Sequence, residues 1–231
     1  MKITLNIPHS SIQGFADGWS SYSELFKEVK RLTDWHTDVL FKPLGLADVK
    51  PIVFQHSRFK VDVERLRNDP LEEIGQGIVY TKMGGCIREI DELEKARLML
   101  IYEAYQKSLK DEIVDDTMLI DCHSFASSTT KDVDVCIGFN DDSTKPPEDI
   151  QNMVVDEFSR YVSKSRIAFN TPFSNSIAPD TDKKYYSMMI EINKSLYMNE
   201  QTLELKAGWY KINAVLNCIY HKILEVSSGA G

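Results

Sequence analysis

Hydrophobic and polar positions along the chain switch repeatedly between a period of two and a helical period. Lys2-Ile3-Thr4-Leu5-Asn6-Ile7 alternates strictly, which predicts a short strand ending at Pro8 and leaves His9 just past its carboxyl end. Over residues 20–42 the apolar positions Leu25, Phe26, Val29, Leu32, Trp35, Leu40 and Phe41 recur at helical spacing. Lys50 to Phe54 reads as a short apolar strand leading into Gln55-His56-Ser57-Arg58. The stretch from Asp69 to Gly85, with its proline and glycines, reads as an exposed loop. Ile87 to about Leu109, rich in Glu, Lys, Leu and Ala, is a helix. Thr117 to Asp121 is an apolar strand followed at once by His123, and Val133 to Gly138 is another strand. Pro146 to about Ser163 is a helix with proline near its start. A strand over Ser165–Phe169, a turn-rich stretch over Asn170–Lys184, a strand over Tyr186–Ile192 carrying Glu191, and a last helix over about 200–225 complete the chain.

Strands thus alternate with helices, with no repeat, linker or low-complexity stretch between them. That order predicts an α/β fold, one layered domain over residues 1–231 with a mixed or mainly parallel sheet. Polar residues that follow apolar strands then gather at one rim of the sheet, where open α/β folds bind their ligands.

Composition narrows this picture. The 231 residues are 42% hydrophobic and 27% charged, ordinary values for a chain with a substantial core. Ser227 to Gly231 reads as a flexible tail. A formal net charge of −8 argues against nucleic acid as a partner, because no global field attracts phosphate. Cys86, Cys122, Cys136 and Cys218 are widely spaced with no CxxC pair, which fits free thiols in a reducing cytoplasmic setting. The chain starts on a strand pattern rather than a leader-like one, and no apolar run is long enough to span a bilayer.

The candidate chemistry lies at His9, the Asp34-Trp35-His36 cluster, His123 and Glu191. A zinc ion takes imidazole nitrogen and carboxylate oxygen and keeps a position open for water, while a separate carboxylate takes the proton. Two histidines, an aspartate and a glutamate supply those parts. Taken singly, each histidine more often packs as a core or surface residue. There is also no compact HExxH-type spacing to fix geometry, and Glu191 could face outward from its strand.

The succession Ile7-Pro8-His9-Ser10, Thr33-Asp34-Trp35-His36, Ser57-Arg58-Phe59-Lys60-Val61-Asp62, Asp121-Cys122-His123-Ser124 and Glu191-Ile192-Asn193-Lys194-Ser195-Leu196-Tyr197-Met198 resembles the N-formylglutamate amidohydrolase family, with the motifs in that family's order. Asn170-Thr171-Pro172-Phe173 resembles the segment preceding the family's last catalytic strand. The resemblance implies a three-layer fold similar to zinc carboxypeptidases, a central mixed, mainly parallel sheet flanked by helices. It also implies hydrolysis of an amide such as the formamide of N-formyl-L-glutamate, with one zinc per chain. Matched by position, zinc falls to His9, Asp34 and His123, with His36 a rival to Asp34 and Asp38 a weaker one. Glu191 becomes the general base and then acid, and Arg58 the group that stabilises the oxyanion. Arg65 is placed to hold a substrate carboxylate with its bidentate fork, Asp62 to orient an arginine, and His36 to line the substrate site. The chain departs from the family at Glu64-Arg65-Leu66, where Asn-Arg-Pro is common, and at Ser174-Asn175-Ser176, where a glycine turn is common. The expected partner is a small acidic N-acyl amino acid or short peptide, without membrane or nucleic acid. Competing readings are a carboxypeptidase-like hydrolase of short peptides or peptidoglycan fragments, and a binding protein that keeps the fold without turnover.

Overall fold

The computed structural model describes residues 1–228. Strand β1 (Lys2–Ile7) follows the alternation, with Ile3, Leu5 and Ile7 on one face and Thr4 and Asn6 on the other, all fully buried. Helix α1 (Tyr22–Leu32) starts at Ser21, whose side chain accepts from Glu24 N, and buries Leu25 and Val29. The helical spacing over 20–42 is interrupted here. Thr33 is extended, Asp34 N donates to the His9 carbonyl at 3.0 Å, and His36 is left-handed at φ 64° before the short helix α2 (Thr37–Leu40). One apolar stripe therefore belongs to two helices, and the turn between them carries Asp34 to His9.

Strand β2 (Val49–Val53) comes next. The region expected to be an exposed loop instead holds a 3-10 turn at Pro70–Ile74 and a hairpin of β3 (Lys82–Met83) and β4 (Cys86–Ile87). Val79 and Tyr80 within it are buried, at 4% and 1% exposure. Helix α3 (Glu92–Asp111) begins later than its composition suggests, because Ile87 belongs to the hairpin and Asp91 caps Glu94 N. Strand β5 (Thr117–Phe125) runs beyond the expected Asp121, so His123 lies within it rather than after it. The remaining elements are β6 (Val135–Gly138), α4 (Glu148–Ser159), β7 (Ile167–Phe169), β8 (Tyr185–Asn193) and α5 (Tyr210–Ser228). Ser227 and Ser228 close α5, and the rest of the expected flexible tail, 229–231, lies outside the described residues.

The six-stranded sheet has the order β2-β1-β5-β8-β6-β7. All neighbouring strands are parallel except β6 and β8. The fold is therefore α/β, with a central mixed, mainly parallel sheet flanked by helices, as the element order predicts. On one face Leu5, Ile120, Cys122, Ile190 and Ile192 pack against Val154 and Phe158 of α4 and Leu216, Ile219 and Ile223 of α5. Truncating this layer leaves a cavity that close-packed neighbours cannot fill. Leu5→Ala should cost about 2–5 kcal/mol, read as a lower urea midpoint with an unchanged slope.

The opposite face carries the polar row. Register pairs Asn6 with Asp121 and His123 with Glu191, so β1, β5 and β8 present these side chains side by side. Leu98, Tyr102 and Tyr105 of α3 cover part of this face together with Phe54, Val61 and Val63. No helix among the described residues is long and apolar enough to cross a membrane. Cys86, Cys122 and Cys136 are buried and Cys218 exposed, all as free thiols.

Candidate active site

Carboxyl ends of parallel strands meet at one rim of the sheet, and His9, Asp34, His123 and Glu191 converge there. They line a pocket of about 630 Å³ together with Arg58, Glu64, Arg65 and Phe173. The His9 and His123 rings lie 5.3 Å apart between centroids. One donor atom from each of His9, Asp34 and His123 falls within 4.8 Å of the others. His36 and Asp38 do not join them. The left-handed backbone of His36 turns its Nε2 to the Leu203 carbonyl at 2.7 Å, and Asp38 is exposed on α2.

Each imidazole has one nitrogen fastened to a carboxylate. His9 Nε2 is 2.9 Å from Asp62 Oδ1. His123 Nε2 lies 3.0 Å from Asp121 Oδ1 and 3.0 Å from Glu64 Oε2. An ionised carboxylate only accepts, so both Nε2 atoms carry hydrogen, and in the neutral ring the lone pair is left on Nδ1. Both Nδ1 atoms face Asp34 Oδ2, at 2.9 Å from His123 and 3.7 Å from His9. The longer distance is outside hydrogen-bonding range, and among the described residues the buried His9 Nδ1 has no hydrogen-bond partner. Two imidazole nitrogens, that of His9 an orphaned acceptor, and a carboxylate, each ring anchored from behind by an acid, form a donor set that fits a divalent cation.

Charge points the same way. Burial alone would lower the His123 pKa, but Asp121, Glu64 and Asp34 outweigh it and hold the ring well above its usual value. Burial would raise Asp34, yet its hydrogen bond to His123 and the nearby His9 ring keep it ionised far below the usual carboxylate range. In the metal-free protein a proton thus sits among these groups, and cation binding would displace it.

Glu191 lies beside the set without joining it. It is 8% exposed, and among the described residues its Oε2 is a buried oxygen with no partner. Burial pushes its pKa up to about 8; His123 opposes this, while Asp34 and Asp121 add to it. A cation held by the neighbouring residues would favour the ionised form.

Asp62 is the hub of the remaining network. Its Oδ2 accepts from Tyr80 hydroxyl at 2.6 Å and Arg58 Nη2 at 2.8 Å, while its Oδ1 accepts from Glu64 N at 3.1 Å as well as from His9. Arg65 Nε lies 3.6 Å from Oδ2, and Arg65 Nη2 donates to Tyr80 hydroxyl at 3.3 Å. Both arginines therefore line the pocket with Asp62 behind them.

Sequence reasoning missed Asn6, Glu64, Tyr80 and Asp121. Asn6 Nδ2 donates to Glu64 Oε1 at 2.6 Å and to Asp121 Oδ1 at 2.8 Å, behind His123. A signal for Asp121 was present: in a strand that includes His123, the residue two positions earlier shares its face. Tyr80 gave none, because its partner Asp62 is reached only through tertiary contact.

Comparison with known proteins supports one grouping. A model of the N-formylglutamate amidohydrolase family matches residues 1–198. The fold resembles the crystal structure of N-formylglutamate amidohydrolase from Ralstonia eutropha JMP134, with a TM-score of 0.78 at 18% identity over 98% of this chain and 94% of that one. It also resembles a gene product of Agrobacterium tumefaciens, with a TM-score of 0.64 at 13% identity over 96% and 92% of the two chains. No curated protein sequence matches the chain.

Proposed function

The chain belongs to the N-formylglutamate amidohydrolase family, and from that premise we propose that residues 1–231 act as one domain that hydrolyses the amide of a small acidic N-acyl amino acid, of the N-formyl-L-glutamate type, with one zinc ion. The observation that carries this reading is the pair of carboxylate-anchored imidazoles turned on Asp34, with the unpartnered Glu191 carboxyl in the same pocket.

His9, Asp34 and His123 would hold the ion. When bound, it supplies Lewis-acid activation of water and of the scissile carbonyl. Glu191 accepts a proton from the attacking water and returns it to the departing nitrogen, so the carbon–nitrogen bond breaks to give formate and a free amino group. Burial raises its proton affinity in the metal-free protein, and a held cation would draw it back down, toward the range that such a shuttle needs. Arg58 already donates to Asp62, Tyr80 and the Leu32 carbonyl, and a guanidinium has further donors for an oxyanion. Arg65, about one-quarter exposed, is the group for a substrate carboxylate.

At about 630 Å³ the pocket also admits a short peptide, so substrate class is separated by kinetics. Zinc-loaded protein should hydrolyse N-formyl-L-glutamate with a kcat/KM well above that for N-formyl-L-leucine or for dipeptides. A preference for dipeptides over every formyl amino acid would overturn the substrate assignment and leave the amide chemistry standing.

A further inference from the structure

The turn that brings Asp34 to the site is fastened by several side chains, of which only Arg58 has a part in the chemistry above. Helix α1 ends at Leu32, and the last carbonyls of a helix have no partner within it. Here each is taken from outside. Trp35 Nε1 donates to Lys30 O at 3.1 Å, Lys194 Nζ to Arg31 O at 2.7 Å and Arg58 Nη1 to Leu32 O at 3.3 Å. Beyond Asp34, the Tyr197 hydroxyl donates to Trp35 O at 2.8 Å, and His36 Nε2 reaches the Leu203 carbonyl.

Lys194 and Tyr197 lie directly after β8, on and just beyond a 3-10 turn at Lys194–Leu196. Lys194 is 1% exposed and Tyr197 fully buried. A buried ammonium is costly unless compensated. Burial disfavours the charged form here, and the carboxyl-terminal end of α1, where carbonyl dipoles concentrate negative charge, offsets part of that cost, with Asp34, Glu200 and Glu191 within electrostatic reach. Arg58 and His36 hold the same turn from other directions, but Lys194 and Tyr197 share a backbone with Glu191. Their bonds couple the position of Asp34 to the strand that carries the proton-transferring carboxyl.

We infer that Lys194, together with Tyr197, is a positioning residue that ties the Asp34 turn to the end of the Glu191 strand and so fixes the spacing between the ion-holding residues and the proton carrier. In its metal-binding consequence this rests on the function proposed above; in its mechanical content it rests on the hydrogen bonds alone.

The test uses the full-length chain as Lys194→Met, Tyr197→Phe and Lys194→Arg variants. The two deciding measurements are zinc affinity by competition with a chromophoric chelator and amide hydrogen exchange over residues 32–37, with kcat, KM and the denaturation midpoint read beside them. Lys194→Met should bind zinc about 10–100-fold more weakly, the range expected when a group orienting a ligand is lost. It should also exchange faster over residues 32–37 and lower kcat, with the KM for substrate within a few-fold of wild type. Tyr197→Phe keeps the packing and should shift both measurements in the same direction by less, which keeps the test decisive if Lys194→Met does not fold. Lys194→Arg should recover most of the zinc affinity. A merely structural role would lower the denaturation midpoint and leave zinc affinity of the folded variants unchanged; that result, with wild-type exchange in the turn, would overturn the inference. If wild-type protein binds no zinc, the functional reading fails, and the exchange measurement still decides whether the turn is held this way.

Discussion

Glu191→Gln should lower kcat by roughly two to four orders of magnitude, the usual contribution of a positioned proton carrier, while zinc content and KM stay near wild type. The argument is geometric. Glu191 stands next to His123 in register on the neighbouring strand, in the pocket, with an oxygen that makes no hydrogen bond among the described residues. Gln keeps the shape and loses only the ability to exchange a proton. A matched fall in kcat and kcat/KM is the signature of a group that acts in the transition state. The same substitution carries a stability prediction of opposite sign. Burial raises the folded-state pKa of Glu191 to about 8, far above an unfolded glutamate. Between about pH 4.3 and pH 8 the metal-free native state therefore binds more protons at this site than the unfolded state, so its contribution to stability falls as pH rises through that window. Metal-free Glu191→Gln should unfold at an equal or higher urea midpoint than wild type at pH 8. An active-site carboxyl kept at a cost in stability is the expected trade-off. Full activity in this variant would remove Glu191 from the mechanism.

Asp62→Asn should have the largest effect on folding, about 3–5 kcal/mol, the usual result of removing one partner of a buried ion pair. Asp62 is fully buried and accepts from Arg58, Tyr80, His9 and Glu64 N together. Without its charge, the largely buried Arg58 loses its counter-ion, and the amide cannot accept at both ends. Burial alone would raise the Asp62 pKa, but Arg58 and then His9 more than offset it and hold the carboxyl well below the usual range. The stability this confers is complete above the unfolded pKa near 3.9 and disappears as pH falls toward the depressed folded value. Wild-type protein should therefore lose stability below about pH 4 more steeply than Asp62→Asn does. Urea unfolding at pH 7 and pH 3.5 for the two proteins measures both effects; equal stability at pH 7 would show that the network contributes nothing. Loss of the Nε2 anchor of His9 should also weaken zinc binding.

Much of this was legible in the sequence, for identifiable reasons. β1 shows clean alternation because one of its faces is apolar and the other polar. The order of strands and helices gave the mixed α/β sheet, and the residues that gather at its rim came from positions beside apolar strands. Legibility failed where tertiary contact overrides local pattern. β5 was cut short at Asp121 because Asp121 and His123 look like the end of a strand, yet both are buried within it, facing Asn6 and Glu191 in register. The stripe over 20–42 shows no break because its apolar helical spacing continues on both sides of Thr33. The break is set by Asp34 N bonding to His9 and by donors from Lys194 and Tyr197, all far away in sequence. The segment around Tyr80 reads as an exposed loop because of its proline and glycines, and nothing local reveals that the Tyr80 hydroxyl meets Asp62. His36, two residues beyond the acid that does reach the pocket, holds the turn instead.

The central claim is that His9, Asp34 and His123 together hold a cation. Its most direct measurement is elemental analysis of wild-type protein and of His9→Ala and His123→Ala after equilibration with limiting zinc and removal of excess ion. The expected result is close to one zinc per wild-type chain and little in either variant, with both variants still folded by circular dichroism. Wild-type protein that hydrolyses its substrate with no bound metal, or variants that keep full zinc, would contradict it.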